Sequence, residues 1–192
     1  MLAIYGLVFF GLLNIYEFLP NKNLRIVYLC FYTFLEYAIF AYLIASSIRQ
    51  KRIQAFILVL SLCFLGFQVL YFLMVDFKRL DSVPIGIETI LMFIYIAYYF
   101  YHYFKTGTDR YIYYAPSFWV AIGILVYLGG TFFFNILVNH VDKNQFESFW
   151  HLTYLPEILK NVFFSISIFL YARQSKNSIS NKAEKVPYLD LI

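Results

Sequence analysis

A membrane-spanning helix needs about 20 consecutive, mostly apolar residues, and this chain contains six such runs. They cover about 2–19, 26–48, 53–75, 83–104, 112–138 and 149–173. The first stops at Pro20. The second lies between Arg25 and Arg49, and the third between Arg52 and Asp76. The fourth opens on Val83-Pro84, where a first-turn proline is tolerated, and ends at Lys105. Pro116 stands near the start of the fifth, and Pro156 lies inside the sixth. These runs are too long for barrel strands and lack the apolar/polar alternation of a membrane barrel. The connecting loops, mostly about four to ten residues, are too short to fold separately. The expected fold is all-α: a polytopic transmembrane bundle of six spans over 1–173, followed by a tail over 174–192.

Composition agrees. Of 192 residues, 62% are hydrophobic and 14% charged. Soluble domains run nearer 45–50% and about 25%. A soluble globular domain and a disordered chain are therefore excluded. The charges form no basic face, which argues against a nucleic-acid binder. The first partner is the lipid bilayer. Lys and Arg in short loops orient such proteins, with the richer side in the cytoplasm. One side holds Arg49, Lys51, Arg52, Lys105, Arg110, Arg173, Lys176, Lys182 and Lys185. The other holds Lys22, Arg25, Lys78, Arg79 and Lys143. Nine against five places the tail in the cytoplasm, and with six spans the N-terminus too. The first run starts at the initiator Met, without the basic flank or cleavage site of a secretory signal. It reads as an uncleaved helix, or as a chain lacking an earlier helix that relatives have. Cys30 and Cys63 lie in apolar runs with no CxxC partner, so both are expected as small buried thiols rather than a disulfide or metal site.

A charge at mid-helix costs roughly 2.5–3.5 kcal/mol on insertion scales, so intramembrane polar groups face the bundle interior. Glu36 is at the centre of the second run, with Tyr28 and Tyr32 on the same helix face. A carboxyl there must be neutral or paired. It is either hydrogen-bonded structural glue or a proton- or ligand-sensing group. Glu88, Met92, Tyr95, Tyr99 and His102 form one stripe on the fourth run, with His102 near a wet interface. Gln54, Ser61 and Gln68, seven apart, suit a seam bonded across helices. Tyr127, Thr131 and Asn135 share a face of the fifth run beside Gly129-Gly130, which permit close approach or a bend. In the sixth, His151, Tyr154, Glu157, Lys160, Asn161 and Ser165 crowd together. Glu157 and Lys160, three apart, can pair on one face. Either one helix spans 149–173, or Pro156 marks a break. In the second case 146–154 is an interfacial segment anchored by Trp150 and Tyr154, and Glu157 starts a shorter span. Asn14, Glu17, Gln68, Glu88, Thr131, Asn135, Glu157 and Lys160 all fall in outer halves, with Glu36 as floor. A polar cavity open to the outer side follows.

No HExxH, Walker loop, GxSxG or Cys/His metal cluster is present in the sequence, so no enzyme, cofactor or metal is expected. Three stretches carry a resemblance: Tyr32-Thr33-Phe34-Leu35-Glu36-Tyr37 before a basic loop, residues 118–131 (FWVAIGILVYLGGT), and Trp150 through Lys160-Asn161. Together they resemble bacterial multi-pass membrane proteins found beside, or fused to, sensor histidine kinases. In that group two helices tend to precede the first element, giving seven. Here one does. The resemblance implies a sensory or accessory module of the bacterial inner membrane, with a histidine kinase or other membrane partner. Its ligand- or proton-sensing residues would be Glu36, Glu88, Glu157, Lys160, Asn161, Asn135, Gln68, Tyr32 and Tyr95. The apolar tail end, Val186–Ile192, is a candidate docking segment. The alternative is a small transporter or channel with a protonatable Glu36.

Overall fold

The computed structural model describes residues 2, 5–9, 11–12, 22–48, 50–74, 82–106, 111–138 and 154–183. They are almost entirely helical, without a strand among them. The helical residues 2, 5–9 and 11–12 are α1. Then come α2 (Lys22–Ser47), α3 (Lys51–Met74), α4 (Ser82–Lys105), a 3-10 turn (Ile112–Tyr114), α5 (Pro116–Val138) and α6 (Tyr154–Ala183). Four stretches are long and apolar enough to cross a membrane: Lys51–Phe72, Val83–Lys105, Pro116–Phe134 and Tyr154–Lys176. Phe31–Ser47 is a shorter apolar stretch on α2. Most of the first run, and residues 146–153, fall outside the described residues.

Local chemistry sets the ends. Between α2 and α3, Gln50 accepts backbone bonds from Ile53 and Gln54, while the Gln54 amide donates to the Ile48 carbonyl at 2.6 Å. Gln54 thus closes a turn instead of joining a seam. The fifth helix starts at Pro116, not at 112. Ala115 before it is extended (φ −79°, ψ 121°), as a residue preceding proline prefers, and proline suits a first helical position. Pro156 falls in the first turn of α6, where its missing N–H costs nothing, and the helix runs on through Glu157 without a break. It also runs past 173 to Ala183, so the first part of the expected tail is helical. Val186–Ile192 lies outside the described residues.

The core is built from α2, α4 and α5, with Tyr37, Phe40, Ile44, Met92, Tyr95, Ile96 and Ile124 fully enclosed. The outward faces of α3 and α6 are as apolar as the core: Phe56, Leu62, Leu70, Ile158, Val162 and Phe169 are all exposed. Hydrocarbon as solvent makes no distinction between inward and outward apolar residues. For the same reason Cys63, expected as a buried thiol, is exposed on α3. The side chain of Cys30 is outside the described set.

The tightest helix pair is α5 with α6, antiparallel. Ser167 donates to the Pro116 carbonyl at 2.8 Å near one end of the pair. Near the other, Pro156 lies on Gly130 so closely that a Cβ there would meet the proline Cβ at 2.7 Å. Midway, a Cβ on Gly123 would meet Phe164 at 3.0 Å. Gly129 faces α4 instead, with Phe93 at an ordinary 3.6 Å. Adjacent glycines therefore serve two different neighbours.

That difference predicts opposite outcomes. Gly130→Ala forces a methyl into a rigid ring and should destabilise by about 1–3 kcal/mol. Gly129→Ala should be neutral or stabilising, since alanine is the better helix former. Unfolding titrations in mixed micelles would separate the two.

A candidate functional site: the buried Glu36–Lys160 pair

Four helices bring one charge pair together. The side chains of Tyr28, Tyr32 and Glu36 point at α1, as their shared face predicts. The Tyr28 hydroxyl donates to the Leu12 carbonyl, Tyr32 meets Phe9 edge-on at 4.9 Å, and Glu36 meets Tyr5. From the far side, α6 delivers Lys160. Its Nζ is 3.3 Å from Glu36 Oε1, and both side chains are buried. The pairing spans 124 positions in sequence. Glu157, the expected local partner, is half-buried and makes no ion pair with Lys160. The i,i+3 rule gives reach along one helix, but the deeper carboxylate on α2 satisfies the ammonium in a drier place.

The pair is closed by tyrosines. Tyr5 donates to Glu36 Oε1 at 3.1 Å and accepts from Lys160 at 2.9 Å. Tyr127 on α5 donates to Glu36 Oε2 at 3.0 Å. Both carboxylate oxygens are therefore hydrogen-bonded, as a buried charge requires. An ammonium carries three donors, and two of them have oxygen acceptors here. Ring faces supply the rest: the Tyr127 centroid is 3.8 Å from Nζ, with Tyr5 at 5.4 Å and Phe40 at 5.8 Å. A cation over a desolvated aromatic face gains about 2 kcal/mol or more. Tyr5 and Phe40 were not singled out by the sequence. In a chain with 19 Tyr and 23 Phe no single ring stands out. The available signal was that a tyrosine hydroxyl deep in an apolar run needs a partner.

A second polar cluster joins α2, α3 and α4. The Tyr37 hydroxyl donates to Ser61 at 3.1 Å, and Tyr95 lies 3.4 Å from both. Of the Gln54, Ser61 and Gln68 seam, Ser61 alone bonds across helices. Gln68 is 1% exposed, and neither end of its amide has a partner. The α4 stripe is buried at Glu88, Met92, Tyr95 and Tyr99, and only partly at His102. Tyr99 shares a 2.8 Å hydrogen bond with Ser117.

The other expected site residues divide. Glu36, Gln68, Glu88, Tyr95 and Lys160 are each 5% exposed or less, packed in rather than lining an open wall. Tyr32 is half-buried beside the pair. Asn161 is exposed on the outer side of α6; the residue next to a buried Lys160 turns about 100° away from it. The Asn135 side chain is outside the described set. No group of three or more His, Cys, Asp or Glu able to hold a metal is present among the described residues. No family model, curated protein or solved structure matches the chain.

Removing one partner of a buried pair should cost about 3–5 kcal/mol, because the other charge is left uncompensated. Glu36→Gln and Lys160→Met should each show that loss, and the double variant should be more stable than either. A double-mutant cycle on unfolding free energies measures it. Tyr127→Phe keeps the ring and loses one hydrogen bond to a charged acceptor, about 1.5–3 kcal/mol. Tyr127→Leu loses the ring face as well and should unfold at lower denaturant than Tyr127→Phe.

Proposed function

We propose that the chain is a non-enzymatic sensory or accessory module of the bacterial inner membrane, in which the Glu36–Lys160 pair is the element that responds. The observation carrying this reading is the pair's place: an ion pair buried in the bundle and held from four helices. An interaction that is strong while complete, and costly when one charge is removed, gives a bundle two arrangements to choose between. A proton or a ligand group on Glu36 removes the attraction that holds α6 against α2. The unbroken α6 then passes the change along the chain.

In this reading the chain crosses the membrane six times, with both ends in the cytoplasm by the Lys/Arg distribution. The signal reaches the pair from the outer side. The tail end, Val186–Ile192, docks on a histidine kinase or similar membrane partner. The resemblance of three sequence stretches to membrane modules found beside sensor kinases is what suggests this assignment.

A small proton-coupled transporter is the second reading. It is favoured by Glu88, a second buried carboxyl within electrostatic range of Glu36. Proton flux into proteoliposomes that stops in Glu36→Gln would select it.

Spin labels at Lys51 and Arg173, both exposed, test the sensing reading in nanodiscs, with Cys30 and Cys63 replaced by Ala. The interlabel distance should shift when the wild type is acidified. Glu36→Gln should hold the shifted distance throughout. A distance unchanged by pH and by Glu36→Gln removes Glu36 as the sensing group. Full partner association after deletion of 186–192 removes the docking role of the tail.

A further inference from the structure

One end of the bundle carries charge of a single sign. The four long apolar stretches have their ends there at Lys51, Lys105, Pro116 and Lys176. Hydrogen bonds tie this end together. Tyr98 on α4 donates to Gln50 beside α3 at 3.2 Å, Tyr99 meets Ser117 on α5, and Gln174 on α6 donates to the Tyr114 carbonyl. Lys51, Arg52, Lys105, Arg173 and Lys176 are all exposed at this level. Among the described residues no acid accompanies them: Glu36 is mid-bundle, and Glu88 and Glu157 lie toward the opposite ends of α4 and α6. None of the five cations forms an ion pair with a described residue.

The 3-10 turn at the same level has a backbone that needs no water on its acceptors. The carbonyls of Tyr111, Ile112 and Ala115 accept the N–H groups of Tyr114, Ala115 and Phe118, each at 3.0 Å. Those of Tyr113, Tyr114 and Pro116 accept from the side chains of Trp119 at 2.8 Å, Gln174 at 2.7 Å and Ser167 at 2.8 Å. Every carbonyl from 111 to 116 is therefore satisfied within the protein, as backbone in contact with lipid requires. Around this finished backbone Tyr111, Tyr113 and Tyr114 are 69%, 45% and 52% exposed. Tyrosines concentrate at the headgroup level, where one end of the ring is apolar and the other wet. Lys105 lies along the same rim, its Nζ 5.7 Å from the Tyr101 ring centroid.

We propose that this rim binds the headgroups of anionic phospholipids, with Lys105, Arg173 and Lys176 as the charged contacts level with the tyrosine turn. A phospholipid meets both halves of the rim, with acyl chain and glycerol against the rings and a negative headgroup for the cations. Long Lys and Arg stems reach from a span end to that level. A soluble acidic partner would match the charges alone. The rim is separate from the Glu36–Lys160 pair, and the proposal does not depend on what that pair does.

The chain has two tryptophans, Trp119 and Trp150. With Trp150→Phe, Trp119 reports on lipid beside the turn to which it is bonded. The full chain is reconstituted in mixed phosphatidylglycerol and phosphatidylcholine bilayers, with one lipid and then the other brominated in its acyl chains. Quenching of Trp119 gives the relative binding of the two. At low salt phosphatidylglycerol should be favoured about fivefold, the equivalent of one Lys or Arg at an anionic surface. The preference should fall to near one in about 1 M sodium chloride, where the screening length is about 3 Å. Lys105→Gln, Arg173→Gln and Lys176→Gln combined should abolish it at low salt. These side chains are exposed, and the salt series on the otherwise unchanged chain decides the matter should the combined variant not fold. A ratio near one at low salt overturns the proposal and leaves the cations to an acidic soluble partner. A preference that neither salt nor the combined variant reduces overturns it as well.

Discussion

An ammonium group cannot stand bare in hydrocarbon, and the arrangement of this bundle follows from where Lys160 finds its partners. The close packing of α5 and α6 leaves α6 little freedom. Pro156 on Gly130 and Phe164 on Gly123 fix its height and rotation. Lys160 is one turn inside Pro156, on the side facing Tyr127. With that position set, Glu36 has to arrive at the same depth, and α1 has to bring Tyr5 between them. Buried pairs contribute little net stability compared with well-packed apolar side chains of the same volume. Their effect here is on register. Apolar helix faces in lipid slide past one another at little cost, whereas a misaligned α2 would leave two charges unpaired.

The middle of α2 links the two halves of the interior. Glu36 and Tyr37 are neighbours in sequence, and a helix turns about 100° between neighbours. Glu36 therefore faces α1, α5 and α6, while Tyr37 faces Ser61 on α3 and Tyr95 on α4. One peptide unit joins the charged cluster to the neutral one. A rotation of α2 cannot improve one cluster without disturbing the other.

Much of this was legible in the sequence, because charge in an apolar run is rare enough to notice. Glu36, Glu88, Gln68 and Lys160 stood out, and helical spacing placed Glu88, Met92, Tyr95 and Tyr99 on one buried stripe. The pairing of Glu36 with Lys160 was not legible. Helical spacing reports contacts within an element, so it offered Glu157, whereas the real partner is set by how separate helices assemble. Cys63 went wrong for a related reason. In water an apolar environment means the core, but in a bilayer it also means the outside. Tyr5 was hidden by abundance: a residue type that fills every helix carries no information until its hydroxyl is seen to touch something.

The length of α6 has a mechanical consequence. Its 30 residues amount to about 45 Å at 1.5 Å per residue, against a hydrocarbon thickness of about 30 Å. The apolar stretch ends at Lys176, and the helix continues to Ala183. Lys160 is near one end, so about 35 Å of rigid rod separates the charge from the far tip. A tilt of only about 5° about Lys160 would swing that tip sideways by about 3 Å, close to the radius of the helix backbone. A small tilt at the charge pair would thus be magnified by the length of the helix before it reaches the far tip.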